Sequence, residues 1–150
     1  MNREALAENL VVQARQWLGT PYMHQASVCG QGCDCLGLVR GVWRAIYGLE
    51  PARMPAYSHD WGEVSGDENL LGIAKLHMAE IAQSQAGAGD LLVFRWQSGF
   101  VAKHMGILTG TSRFVHSWER AGVSEVSLVP MWRKRIAAVF RFPLPLGEKT

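Results

Sequence analysis

Apolar positions follow a helical period in the first half of the chain and a strand period in the second. Between residues 5 and 18, Leu6, Leu10, Ala14, Trp17 and Leu18 fall on one stripe, which predicts a helix ended by Gly19 and Pro21. A second helix is predicted over CLGLVRGVWRAIYG, with Leu38, Val39, Val42, Trp43 and Ile46 on its apolar face and Asp34 as N-cap. Gly37, Gly41 and Ala45 recur every four residues along it, and this small-residue side predicts close packing on a sheet. A third helix is expected over about 66 to 83, opened by the capping-box pair Ser65 and Glu68 and burying Leu70, Ile73, Ala74, Met78 and Ile81. Past Gly87 and Gly89, the segments DLLVFRW, KHMGILT, RFVHSWE, GVSEVSL and RIAAVFRF read as five short strands divided by turn residues. Helices first and strands last predict an α+β fold, N-terminal helices packed on a C-terminal antiparallel sheet of about five strands. The 150 residues suit one domain, with a core of about 5–142 and a loose tail at 143–150.

Composition narrows the class. Apolar residues at 48% and charged residues at 19% exclude wholesale disorder. A net charge of +2 makes no demand for nucleic acid as a partner. No stretch reaches the ~18 apolar residues of a membrane span, and Glu4, Glu8 and Arg15 break up the first helix, so neither a span nor a secretory signal is expected. The three cysteines, Cys29, Cys33 and Cys35, are too few and too clustered for a disulfide framework.

Cys35 stands where a loop turns into the second helix. The unpaired amides and positive dipole end there favour a thiolate, and such cysteines can titrate at about 3.5–7.5. A cysteine nucleophile needs a base. His77 lies among apolar helix positions and reads as structural, whereas His104 and His116 lie on successive strands joined by TGTS. They share a sheet face only if opposing residue numbers sum to an even value, that is, if the hairpin loop holds an odd number of residues. The roles then follow: Cys35 attacks a carbonyl, His104 takes and later returns the proton, and His116 orients His104. Gly106, beside His104, leaves room on that face which Cys35 could fill. The Cys35 amide and a group from the preceding loop, for which Tyr22 is the natural choice, would face the oxyanion.

The segments LGTPY, GCDCLGLV, KHMGI and FVHSW together resemble the NlpC-type cell-wall peptidase family over about residues 5 to 142. The resemblance implies a papain-like cysteine peptidase that cleaves peptide bonds in peptidoglycan stems without a cofactor, with Cys35 as nucleophile, His104 as base, His116 as third residue and Tyr22 as the oxyanion-side hydroxyl. TPYMHQAS, GCDCLGLVRGVWR and WRKRIAAVFRFP are similar to the subgroup found in tailed phages and gene-transfer agents, which implies tail-tip or hub proteins as partners and action on the wall in the periplasm. The chain departs from the family at Leu36, where many members have Ser, and in the long loop MHQASVCGQGC.

Two other readings stand beside this one. His24, Cys29, Cys33 and Cys35 could form a small zinc site, or the fold could be a catalytically silent tail component. Asp34, His59 and Trp61 are candidates for a substrate loop. The basic run Arg133, Lys134 and Arg135 reads as a solvated turn, and Trp96, Trp118 and Trp132 as candidates to line a cleft or docking surface.

Overall fold

The computed structural model describes residues 1–51, 69–96 and 102–145. Its elements, in chain order, are α1 (Arg3–Arg15), β1 (Ser27–Val28), β2 (Gly32–Cys33), α2 (Cys35–Tyr47), α3 (Asn69–His77), β3 (Ala79–Ile81), β4 (Leu91–Arg95), β5 (Ala102–Leu108), β6 (Arg113–Trp118), β7 (Gly122–Ser127), α4 (Pro130–Arg133) and β8 (Ile136–Arg141). Strands β3 to β8 form one antiparallel sheet in the order β3-β8-β4-β5-β6-β7, and β1 with β2 makes a small separate hairpin. The fold is α+β, and the five expected strands are all present.

The sixth strand, β3, corrects the third helix, which ends at His77 instead of reaching 83. Ile81, expected on a helical face, pairs with Val139. The open edge of β8 offers Ala79–Ile81 a hydrogen-bonding partner, and that pairing overrides a short apolar period. The Ser65 and Glu68 pair lies outside the described residues. Helix α1 likewise stops at Arg15, so Leu18 leaves the buried stripe and is exposed.

The sheet is buried on both faces. Leu91, Val93, Met105, Ile107 and Val115 meet Leu6, Leu10, Leu38 and Val42 of the helices. Leu92, Phe94, Leu108, Phe114 and Val139 form the opposite face, covered by Leu128 and Trp132. Double burial explains the unbroken apolar run LLVF in β4.

The small side of α2 does not press on the sheet. A Cβ at Gly37 would come within 1.8 Å of the Ala26 carbonyl oxygen, and one at Gly41 within 1.9 Å of the Trp17 indole. These glycines admit the loop before the helix and the turn after α1. At the other end of α2, the Tyr47 hydroxyl donates to the Pro143 carbonyl at 2.6 Å, which fastens the start of the segment read as a loose tail.

Candidate active site

Asp34 builds the corner that presents Cys35. Its Oδ1 accepts from the Gly37 amide and its Oδ2 from the Gln25 amide, both at 2.7 Å. The first bond caps α2 as the sequence predicts. The second holds Gln25 in the left-handed region, at φ 66°. With both oxygens turned inward and the residue buried, Asp34 organises the loop and is not displayed to a substrate.

The preceding segment lies alongside. Cys33 donates to the Pro21 carbonyl at 3.0 Å and accepts from the Met23 amide at 3.1 Å, which sets Tyr22 in a parallel bridge beside Cys33. Burial, reinforced by the neighbouring Cys35, Asp34 and Glu119, pushes the Tyr22 hydroxyl up to about 12. It remains a donor at neutral pH.

Cys35 Sγ donates to the Lys103 carbonyl at 3.8 Å, and the amides of Met105, Leu36 and Cys35 itself face the sulfur. The gap that receives it comes from strand divergence. Between β5 and β6 the ladder runs only through Ile107↔Val115 and Leu108↔Phe114, although β5 starts at Ala102 and β6 continues to Trp118. Burial pushes the thiol up to about 12, with the Asp34 charge adding to the rise and the three amides opposing it. The direction is opposite to the thiolate expected of a helix start, because enclosing the sulfur outweighs the amides and the dipole.

His104 and His116 share a face. The β5–β6 register sums to an even value, and Thr109 donates to the Arg113 carbonyl across a three-residue loop. His104 Nε2 and His116 Nδ1 lie 2.8 Å apart. The room beside Gly106 is not left for Cys35: a Cβ there would come within 2.8 Å of the Phe114 ring and 3.2 Å of the His116 Cβ. Cys35 instead meets the β5 backbone at the two residues that flank His104. Burial drives the His104 imidazole well below its usual range, with His116 contributing, and drives His116 down to about 4. Both rings are neutral at pH 7.

An aromatic cluster encloses the pair. His104 stacks on Trp96 with ring centres 5.7 Å apart, Trp118 stacks on His116 at 5.9 Å, and Trp132 meets both imidazoles. The three tryptophans, noted in the sequence only as possible cleft residues, thus gather at one place. Sequence reasoning missed Ser117, whose hydroxyl donates to the Cys33 carbonyl at 2.7 Å. Its only signal is a small polar residue inside an apolar strand.

The remaining candidates do not converge. Among the described residues no three His, Cys, Asp or Glu side chains gather for a metal. The proposed zinc set does not form such a group: Cys33 is wholly buried, and Cys29 is exposed with its thiol against the Gln16 carbonyl. His77 meets the edge of Trp43, a packing contact. Of the basic run, Arg135 alone approaches the site, with its guanidinium carbon 5.9 Å from the Trp96 ring centre. His59 and Trp61 lie outside the described residues.

Comparison with known proteins adds four findings. The model of the NlpC/P60 family matches residues 19–141. Murein DD-endopeptidase MepS/Murein LD-carboxypeptidase of Escherichia coli is 30% identical over 139 residues, an alignment covering 88% of this chain and 64% of that protein. Among solved structures, the NlpC/p60 domain of peptidoglycan hydrolase SagA superposes with a TM-score of 0.64 at 22% identity, over 91% of this chain and 98% of that one. An NlpC/P60 family protein of Bacillus cereus gives a TM-score of 0.66 at 19% identity, over 91% and 40%. These two likenesses show the shared fold.

Proposed function

The chain belongs to the NlpC/P60 family, and on that premise we propose that it is a cysteine peptidase hydrolysing amide bonds in peptidoglycan stem peptides. The observation that carries this reading is the 2.8 Å His104–His116 contact on a strand whose backbone, one residue to either side of His104, receives Cys35 Sγ. The substrate class is supported by the names of the E. coli murein endopeptidase and of the SagA hydrolase. Because the chain spans 64% of the length of the E. coli relative, that protein's whole activity is not carried over with the domain.

Neutral thiol and neutral imidazole form the resting pair. For His104 to act as base through Nδ1, its Nε2–H donates to His116 Nδ1, a tautomer inferred from the contact. The thiol turns from the Lys103 carbonyl and gives its proton to His104 as sulfur attacks the carbonyl carbon. The oxyanion accepts from the Cys35 amide and the Tyr22 hydroxyl, donors of a kind worth about 2.7–4 kcal/mol each. The tetrahedral adduct collapses, the C–N bond breaks, and His104 returns its proton to the leaving amine. Water, deprotonated by His104, then hydrolyses the thioester to the acid and restores the thiol.

The finer placement, in a phage-like or gene-transfer-agent tail that opens the wall locally, is supported by the sequence resemblance of residues 20–44 and 132–143. Purified sacculi incubated with the wild type should release stem-peptide fragments readable by mass spectrometry, and Cys35→Ala should release none while keeping its fold. Full activity in that variant refutes the peptidase reading. Absence of the chain from purified tailed particles of the producing cell refutes the tail placement alone.

A further inference from the structure

We propose that Trp96, Trp118 and Trp132 form a dry wall that fixes the orientation of the His104–His116 pair, with Arg135 as the clamp that keeps Trp96 in place. The inference rests on the reading of His104 as the base and adds positioning residues to it.

Exposure makes the first part of the case. Trp96 and Trp118 are each partly exposed, whereas His104 and His116 are only 5% and 2% exposed. On the solvent side, the indoles stand between the imidazoles and water. Phe94 and Phe114, on the same face, are fully buried core residues and cannot serve as that boundary.

Ring geometry makes the second part. The Trp96 and His104 planes are 18° apart, the Trp118 and His116 planes 27° apart, and Trp132 stands at 86° to His116. The indoles also touch one another, with centres 5.3 to 5.8 Å apart. Each imidazole therefore has an indole stacked on it, and Trp132 sets the angle between them. Rotation of either ring would break the 2.8 Å contact or a stack.

Arg135 completes the wall from the segment after α4. Its guanidinium lies over Trp96, Nε donates to the Trp96 carbonyl at 3.2 Å, and Nη1 donates to the Met131 carbonyl at 3.0 Å. A cation over an indole face within about 6 Å is attractive. Among the described residues, few other charges face the pair. His116 faces His104 from β6, Arg135 stands behind Trp96, Lys103 precedes His104 on β5, and the Cys35 thiol and Asp34 lie at the start of α2, with Tyr22 in the segment bridged to Cys33. Burial keeps both rings neutral at pH 7, and the wall shares that burial with Phe94 against His104 and Phe114 against His116.

The test uses the full chain, nuclear magnetic resonance of labelled imidazoles, and the pH profile of kcat/KM on a purified stem peptide. Trp96→Ala should move the onset of His104 protonation to higher pH and carry the acid limb of kcat/KM with it. It should also lower kcat on the order of 10²-fold, as misplacement of a reacting group does, with KM little changed. Trp96→Phe should recover most of the loss. Arg135→Gln, which leaves every ring present, should shift both readouts in the same direction by less. An unmoved His104 titration and acid limb in folded Trp96→Ala, where His104→Ala is inactive, overturns the wall. Activity surviving His104→Ala overturns the assignment of the base instead, and the imidazole titrations still report on the wall.

Discussion

The Ser117 hydroxyl donates to the Cys33 carbonyl at 2.7 Å, and so ties the residue after His116 to the residue two before Cys35. Both partners are buried, Ser117 at 1% exposure and Cys33 at 0%. The bond joins β6 to the corner of α2 at the place where β5 and β6 diverge, and it holds the histidine strand and the cysteine helix in one register.

Removing the Ser117 hydroxyl should therefore act on stability and activity together. Ser117→Ala takes one donor from a buried carbonyl that keeps the Met23 amide, and should cost about 0.5–1.5 kcal/mol by urea unfolding. Stem-peptide turnover should fall because Cys35 loses its tie to β6. A variant as stable as wild type would mean that the bond does not hold the corner.

Asp34 should discriminate between its two bonds. Asp34→Ala loses the N-cap, which costs about 0.5–2 kcal/mol, and also leaves the Gln25 amide without this acceptor at a left-handed residue. Asp34→Asn keeps one acceptor oxygen and should fall between Ala and wild type. Equal losses for Asn and Ala in chemical denaturation would show that the second oxygen, not the cap, dominates.

The helix glycines should respond in opposite directions. Gly41→Ala drives a methyl into Trp17, and Gly37→Ala drives one into the Ala26 carbonyl, so each should destabilise by about 1–3 kcal/mol. Gly72, on α3, has nothing within 4 Å of its ideal Cβ and is exposed. Gly72→Ala should stabilise by about 0.5–1 kcal/mol, since Ala is the better helix former. Thermal unfolding of the three variants checks the order, and a stabilising Gly41→Ala would contradict the packing.

The parts of the fold set by local period were readable in the sequence, and the parts set by distant strands were not. Leu38, Val39 and Val42 announce α2 because one helix face alternates with polar positions. His104 and His116 could be placed on one face because side-chain alternation and loop parity decide it, and the odd loop between Thr109 and Arg113 meets that condition. Ile81 was misread because its partner, Val139, lies 58 residues further along the chain. The setting of Cys35 was hidden for the same reason. Its sulfur meets Lys103 and Met105 only because β6 turns away from β5, and no local pattern around Cys35 encodes that divergence.

Glu125 should carry part of the acid stability. Arg15 first, and then Thr109 and Arg113, hold its carboxyl down to about 2. A carboxylate depressed in the folded state stabilises above its unfolded value of about 4.3, and that contribution is lost as pH falls from there toward 2. Glu125→Gln should flatten the fall in stability across this window. The effect should shrink in high salt, since Arg15 is half exposed. Identical pH curves for the two proteins would remove Glu125 from the account.

The free protein should lack a thiolate at rest. A thiol raised to about 12 beside an imidazole held well below its usual range leaves the proton on sulfur at neutral pH. Iodoacetamide should then alkylate Cys35 slowly at pH 7, at a rate rising about tenfold per pH unit up to the thiol pKa. The measurement belongs in a Cys29→Ser background, because Cys29 is exposed whereas Cys33 is buried. His104→Ala should change this alkylation little while abolishing turnover, since in the proposed mechanism His104 takes the proton only once the thiol leaves the Lys103 carbonyl for it. A rate constant already level between about pH 5 and pH 8, and lost in His104→Ala, would instead reveal a standing thiolate–imidazolium pair. In that case the dipole and amides at the start of α2 would have prevailed over burial of the sulfur.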